Sequence, residues 1–263
     1  MSGQKREVMI LEKKYLIMMW ELAVAKFRLR DQGTFLGFIW TLLHPLIYFL
    51  VLYGLFRNWM GQHVTNFPLY LIIGIVHWNF FVSATSNSIV TIMNAGTYIK
   101  NIKFPREILV LSSVLTVLFS HFLELIILLV FWILVGERLG LMVLGLFPIL
   151  LLNIYLVTSV SFILATVGVY FLDIERIWGI LASVGLFLTP IFYSMDLLAP
   201  NKRWVILLNP MTHIIQASRD LLIDNKLPEL KGLFYVLAVA TLLLFLGYKF
   251  FKRNEGYFAE RIM

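Results

Sequence analysis

"PLYLIIGIVHWNFFVSATSNSIVTIM", residues 68–93, contains no Asp, Glu, Lys or Arg. As a helix this run would be about 39 Å long at 1.5 Å per residue. The hydrocarbon core of a bilayer is about 30 Å thick. A surface helix of a soluble protein needs a charged or polar face for water, and this run offers only scattered hydroxyls, amides and one imidazole. It reads as a membrane span.

The rest of the chain agrees. Of 263 residues, 60% are hydrophobic, and the mean hydropathy is +0.86. A soluble domain of that composition could not cover itself with polar surface, so a polytopic membrane protein is expected. Six windows can cross a bilayer: 35–56, 68–93, 108–135, a piece of 139–172, 177–195 and 232–248. Pro148 is expected to divide the overlong fourth window into an interfacial start and a span. The fold class is thus an all-α membrane protein with six transmembrane helices. The charged first thirty residues do not read as a cleavable signal peptide. The absence of cysteine excludes disulfides and thiolate chemistry.

Lys and Arg favour cytoplasmic loops. Six spans place both termini on one side. That side carries seven basic residues in the N-terminal segment, Lys100, Lys103 and Arg106 after the second span, Arg176, and four in the tail: fifteen against seven. Both termini are expected in the cytoplasm. "NIKFPREI" (101–108) is then a cytoplasmic loop.

Residues 8–30 read as an interfacial amphipathic helix. Leu16, Trp20, Ala23 and Phe27 lie on one face, with Lys14, Glu21 and Arg28 on another. It serves either as an anchor or as a surface for an anionic ligand. Between the fifth and sixth spans, 194–231 holds two apolar pieces too short to cross. In the second, Asn209 can cap and Pro210 suits the first helical position. Its apolar residues oppose a polar face of Thr212, Gln216, Arg219 and Asp220. Both pieces, including Trp204, read as re-entrant or interfacial helices, as a packed lid or an outer gate.

No G-x-x-x-x-G-K-[ST], HExxH, GxSxG or aspartate-rich metal box occurs, so no catalytic constellation, ATP site or metal site is expected on this chain. Three polar features need explanation. His121 and Glu124 share a face of the third span and form either a proton relay or an interhelical bond. Asn79, Ser83 and Asn87, continued by Thr91 and Asn94, form a stripe that either packs between helices or lines an aqueous path. Phe38, Phe49, Tyr53 and Phe56 recur along the first span, and the middle pair lie deeper than an interfacial belt.

Four segments resemble one family in order. "RDQGTFLGFIWTLLHPLIYFLVLYGLF" (30–56), "KNIKFPREI" (100–108), "DIERIWGILASVGLFLTPIFY" (173–193) and "LLNPMTHIIQASRDLL" (207–222) are similar to segments of type-2 ABC exporter permeases. Among these the likeness is to membrane subunits that export O-antigen and related polysaccharides.

The resemblance implies a homodimer in the bacterial inner (plasma) membrane, with two copies of a separate ATPase that binds ATP and Mg²⁺. The cargo would be a lipid-linked glycan moved from cytoplasm to periplasm, with membrane lipid as surroundings and no nucleic acid. The chain would then divide into a cytoplasmic N-terminal segment (1–34), a transmembrane domain (35–251) and a cytoplasmic tail (252–263). Within the transmembrane domain, 95–107 is a coupling loop and 194–231 carries the external gate helices.

For the coupling loop the resemblance implies Lys100, Ile102, Lys103, Phe104, Pro105, Arg106 and Glu107, with Phe104 as an apolar anchor on the ATPase. Lys26, Arg28 and Arg30 would meet the carrier's anionic headgroup. Phe38, Phe49, Tyr53 and Phe56, joined by Tyr193, would line a channel along which sugar rings slide. Trp204, Asn209, Pro210, Arg219 and Asp220 would belong to the gate. Two other functions remain open: export of drugs or lipids by the same architecture, and an intramembrane enzyme built on His121 and Glu124.

Overall fold

The uncharged run folds as one helix, begun by Pro68 in its first turn, where the missing N–H costs nothing. The computed structural model describes residues 2–30, 39–102, 104–134 and 141–261, and among them there is no strand. In chain order the helices are α1 (Ser2–Arg30), α2 (Ile39–Met60), α3 (Phe67–Asn94), α4 (Gly96–Asn101), α5 (Glu107–Leu134), α6 (Leu146–Tyr170), α7 (Ile174–Leu188), α8 (Arg203–Leu207), α9 (Pro210–Leu222), α10 (Leu230–Asn254) and α11 (Phe258–Arg261).

Helix α3 is the axis of the bundle. It touches α2, α5, α6, α7 and α9, while α10 covers α6 and α1 covers α5. Hydroxyls within the spans are mostly satisfied inside their own helix. Thr85, Ser88, Thr116, Ser159 and Thr166 each donate to a carbonyl one turn back. The polar letters of a span thus cost little where they face protein.

Among the described residues, four helical segments are long and apolar enough to cross a membrane: Phe67–Asn94, Glu107–Ile133, Met142–Tyr170 and Leu230–Arg261. A 3-10 turn, Leu141–Gly145, leads into the third of these, with Pro148 in the first turn of α6. Two expected windows differ. The first becomes α2, Ile39–Met60, which runs past the expected end at 56 and carries Arg57 in its last turn; residues 35–38 of that window lie outside the described residues. The fifth is shorter than read: α7 has 15 residues, about 22 Å. The cause is Pro190, which disfavours helical geometry at the residue before it. Thr189 is extended, with φ −100° and ψ 134°. The chain from Thr189 to Phe192 is buried but not helical.

Helices α3 and α6 meet at Gly168. A Cβ built there would stand 2.3 Å from the carbonyl oxygen of Ile89. Backbone cannot yield as a side-chain tip does, so Gly168→Ala must push the two helices apart. Overpacking of this kind commonly costs about 1–3 kcal/mol. The expected result is a clear fall in the unfolding temperature of the detergent-purified protein. An unchanged unfolding temperature would show that α3 and α6 can slide apart freely.

Candidate functional site

The loop between α4 and α5 is turned differently from the sequence reading. Phe104 is half-buried and packs against the cluster that contains Ile99, Phe251 and Phe258. The expected outward anchor therefore faces its own protomer. Among the described side chains of the loop the exposed apolar one is Ile102, at 53%, beside exposed Lys100; Lys103 lies outside the described residues. Pro105 accepts the first backbone bond of α5, from Ile108 N–H. Arg106 keeps Nη1 buried without a partner among the described residues. Glu107, in the first turn of α5, takes a 3.0 Å ion pair from Lys252 of α10, which also reaches Glu255. The loop is thus braced by the C-terminal end of the chain, a partnership that the sequence reading missed. The basic tail was visible as charge, but pairing across 145 residues leaves no periodic signal.

Part of the apolar face read for helix α1 meets protein, while Leu16 and Trp20 stay more than half exposed. Trp20 and Phe27 set their edges against Phe119 of α5, and Ala23 is fully buried. Lys26 Nζ donates to Thr91 and Ser112 at 3.2 Å, and Arg30 Nη1 to Ser120 at 2.8 Å. Two of the three proposed headgroup cations therefore hold α1 to the bundle. Arg28 is exposed.

The polar stripe and the His-Glu pair come together. Asn79 Nδ2 donates to Glu124 Oε1 at 2.6 Å, and Ser83 lies 3.5 Å from Asn79. Glu124 Oε2 stands 3.5 Å from His121 Nδ1. Behind them His77 joins Asn153 at 3.2 Å and Ser218 of α9 at 3.0 Å. A hollow of about 260 Å³ opens here, walled by Arg30, Asn87, Ser120, His121 and Glu124. Sequence reading did not pick out His77 or His44. An imidazole inside an uncharged apolar run was the available signal.

Helix α9 begins as read: Asn209 accepts from Met211 N–H, and Pro210 opens the helix. Its supposed polar face is not a solvent face. Thr212, Arg219 and Asp220 are buried. Arg219 spans three carbonyls: Nε and Nη2 to Tyr70 O, Nη1 to Pro190 O at 2.7 Å, and Nη2 to Ile191 O. It also lies 3.3 Å over the Tyr70 ring. The amphipathic count failed because a guanidinium satisfies backbone that could not otherwise be buried. Trp204 is exposed, at 61%. Beside α9, Asp224 and Asp220 hold Lys226, whose pKa rises chiefly through the hydrogen bond to Asp224.

The expected channel aromatics form one contiguous group inside the chain. Phe49 stacks on Tyr53 and meets Phe131 edge-on, Tyr53 stacks on Phe67, and Phe56 contacts Phe192, which touches Tyr193. Phe49 is 7% exposed, so it faces its own bundle rather than an open surface. Phe38 lies outside the described residues. The exposed stripe of α2 is instead Trp40, His44, Tyr48, Val51, Leu55 and Trp59. Both stripes recur at helical spacing, and periodicity alone cannot tell which one the bundle covers.

A family model described as "ABC-2 type transporter" matches residues 19–223. The chain belongs to that family. The match runs from the middle of α1 to the end of α9, and so takes in α1's bonds to α5, the loop between α4 and α5 and the Arg219 clamp. Three relatives cover almost the same length. The O-antigen export system permease protein RfbA of Myxococcus xanthus is 28% identical over 244 residues, covering 92% of this chain and 94% of that protein. A protein of the same name from Klebsiella pneumoniae is 27% identical over 235 residues, covering 89% and 90%. The polysialic acid transport protein KpsM of Escherichia coli is 25% identical over 225 residues, covering 84% and 86%. Among the described residues no group of three His, Asp or Glu is placed to hold a metal ion.

Proposed function

We propose that this chain is the membrane permease of an ATP-driven exporter that moves a lipid-linked polysaccharide from the cytoplasm to the periplasm. The observation that carries this reading is the near full-length similarity to permeases named for O-antigen export and polysialic acid transport. Two copies would pair in the bacterial inner membrane, each with six spans and cytoplasmic termini. Two ATPase subunits would bind ATP and Mg²⁺ and press on the 95–107 loop. The basic residues concentrated on the side of the termini support that orientation.

A polymer that passes through one path must be held loosely, because conduction requires binding weak enough to release. Aromatic faces meet that need through C–H···π contact. The exposed rings of α2, Trp40, Tyr48 and Trp59, are better placed for this than Phe49. The carrier's anionic headgroup would approach the end of α1, where Arg28 is exposed and a guanidinium fork suits phosphate oxygens.

The test is a deletion strain complemented with this chain and its ATPase, followed by separate assay of surface and intracellular polysaccharide. The expected result is surface polysaccharide in the complemented strain and intracellular lipid-linked glycan in the deletion strain. Surface polysaccharide that survives deletion, with drug or lipid efflux lost instead, would sink the reading.

A further inference from the structure

The polar hollow beside Glu124 does not end at its own wall. A second hollow of about 170 Å³ adjoins it and shares His44 and Asn79. Its other walls are mainly apolar and aromatic, with Tyr48, Trp78, Val82 and Leu186 from α2, α3 and α7. Tyr48 is exposed and lies 5.6 Å from the His44 ring. One side of the pair therefore offers ring faces, and the other offers a carboxyl group, an amide, hydroxyls and a guanidinium.

The polar side has unused hydrogen-bonding capacity. Glu124 is 3% exposed, yet among the described residues its close hydrogen-bond partner is the Asn79 amide, with His121 at 3.5 Å. Two carboxylate oxygens offer about four acceptor positions. His121 Nε2 is buried with no partner among the described residues. Buried polar groups of this kind are normally satisfied by protein, water or ligand. One water needs only about 10–15 Å³ of such space, so a volume of about 260 Å³ has room for much more.

We propose that the two hollows form one sugar-ring subsite, which holds the first sugar of the cargo before the chain begins to slide. The proposal rests on the polysaccharide reading above. The chemistry selects a neutral polyol over the carrier's phosphate. A carboxyl group at the centre of the site repels an anion when ionised, whereas sugar hydroxyls donate to Glu124 and accept from Arg30 and Asn79. Directional bonds of this kind would stall a polymer if repeated at every step. At a single site next to the end of α1 they can register the start of the chain.

The test uses the full-length permease in lipid nanodiscs and in cells. Saturation-transfer NMR is run with neutral gluco-, galacto- and manno-oligosaccharides, and inorganic pyrophosphate binding is titrated separately. Glu124→Gln keeps the shape of the Asn79 partner, and Asn87→Leu fills the exposed wall without touching that pair. Unfolding temperatures confirm that both are folded. The expected result is sugar saturation transfer in the wild type, reduced at least fivefold in both variants, with the pyrophosphate response unchanged. In cells, surface polysaccharide should fall several-fold in amount with its length distribution preserved, because starts are lost rather than sliding. Absence of saturation transfer to any of the sugars in the wild type would overturn the proposal. So would folded variants that export as much as wild type, and in that case the export reading stands. Failure of the wild type itself to place polysaccharide at the surface would instead overturn the export reading.

Discussion

Arg219→Leu is expected to cost the protein a large part of its stability. The side chain is 2% exposed and makes four bonds to the carbonyls of Tyr70, Pro190 and Ile191. Those last two carbonyls belong to the non-helical stretch that follows α7. Irregular backbone is tolerated inside a membrane protein only where protein or water satisfies it. Arg219 does so from α9, and this permits α7 to end early at Thr189. Removing the guanidinium leaves the buried Ile191 carbonyl without its partner, at a cost of about 1–3 kcal/mol, and takes a charge-assisted bond from two others: Pro190 O, which keeps the Tyr70 hydroxyl at 3.4 Å, and Tyr70 O, which stays within helix α3. Relaxation and water entry recover some of this, so a net loss of about 3–5 kcal/mol is expected, against a typical total of 5–15 kcal/mol. Arg219→Lys should be intermediate, because an ammonium keeps charge but not the planar fork that reaches all three acceptors. The measurement is thermal unfolding of the purified protein. An Arg219→Leu variant that unfolds within about 2 °C of wild type would show that the carbonyls find other partners.

Much of the architecture was legible in the sequence because hydrophobicity and helix period are local signals. The long spans, the capped start of α9 and the N-terminal helix followed from them. Other features depended on which face the bundle covers, and local signals do not carry that. Helix α2 has two aromatic stripes, and the reading chose Phe49, which packs on Phe131, over the exposed Tyr48. Helix α9 has a polar stripe that the structure buries, because Arg219 answers carbonyls contributed by α3 and the α7 exit. Pro190 was a local signal left unused: it stood inside the fifth window and marked where α7 must stop. The Asn79–Glu124 bond joined two polar features that had been read separately. Each intramembrane polar group needs a partner, and two such groups on neighbouring spans are candidates for each other.

The loop proposed to meet the ATPase offers the second large effect, and its side chains face differently from the sequence reading. Phe104 packs with Phe251 and Phe258 beneath the loop, while Ile102 is exposed beside Lys100. The two side chains should therefore fail differently. Ile102→Asp is expected to leave the permease folded, since an exposed side chain contributes little to the isolated chain. If the proposed docking holds, it should abolish association with the ATPase, because a charge would replace the apolar contact that the proposal gives to this side chain. Truncation at such positions commonly costs about 2 kcal/mol or more, and burying an unpaired carboxylate costs further. Phe104→Ala should instead lower the unfolding temperature and weaken ATPase binding only through a loosened loop. Phe258→Ala, at the fully buried end of the same cluster, should repeat the Phe104 pattern from a position outside the loop. The measurements are the unfolding temperature and the yield of ATPase recovered with a tagged permease from detergent. If Ile102→Asp recovers ATPase at the wild-type yield while Phe104→Ala recovers none at an unchanged unfolding temperature, then Phe104 is the contact after all. The loop would then have to swing Phe104 out of its cluster to meet the partner.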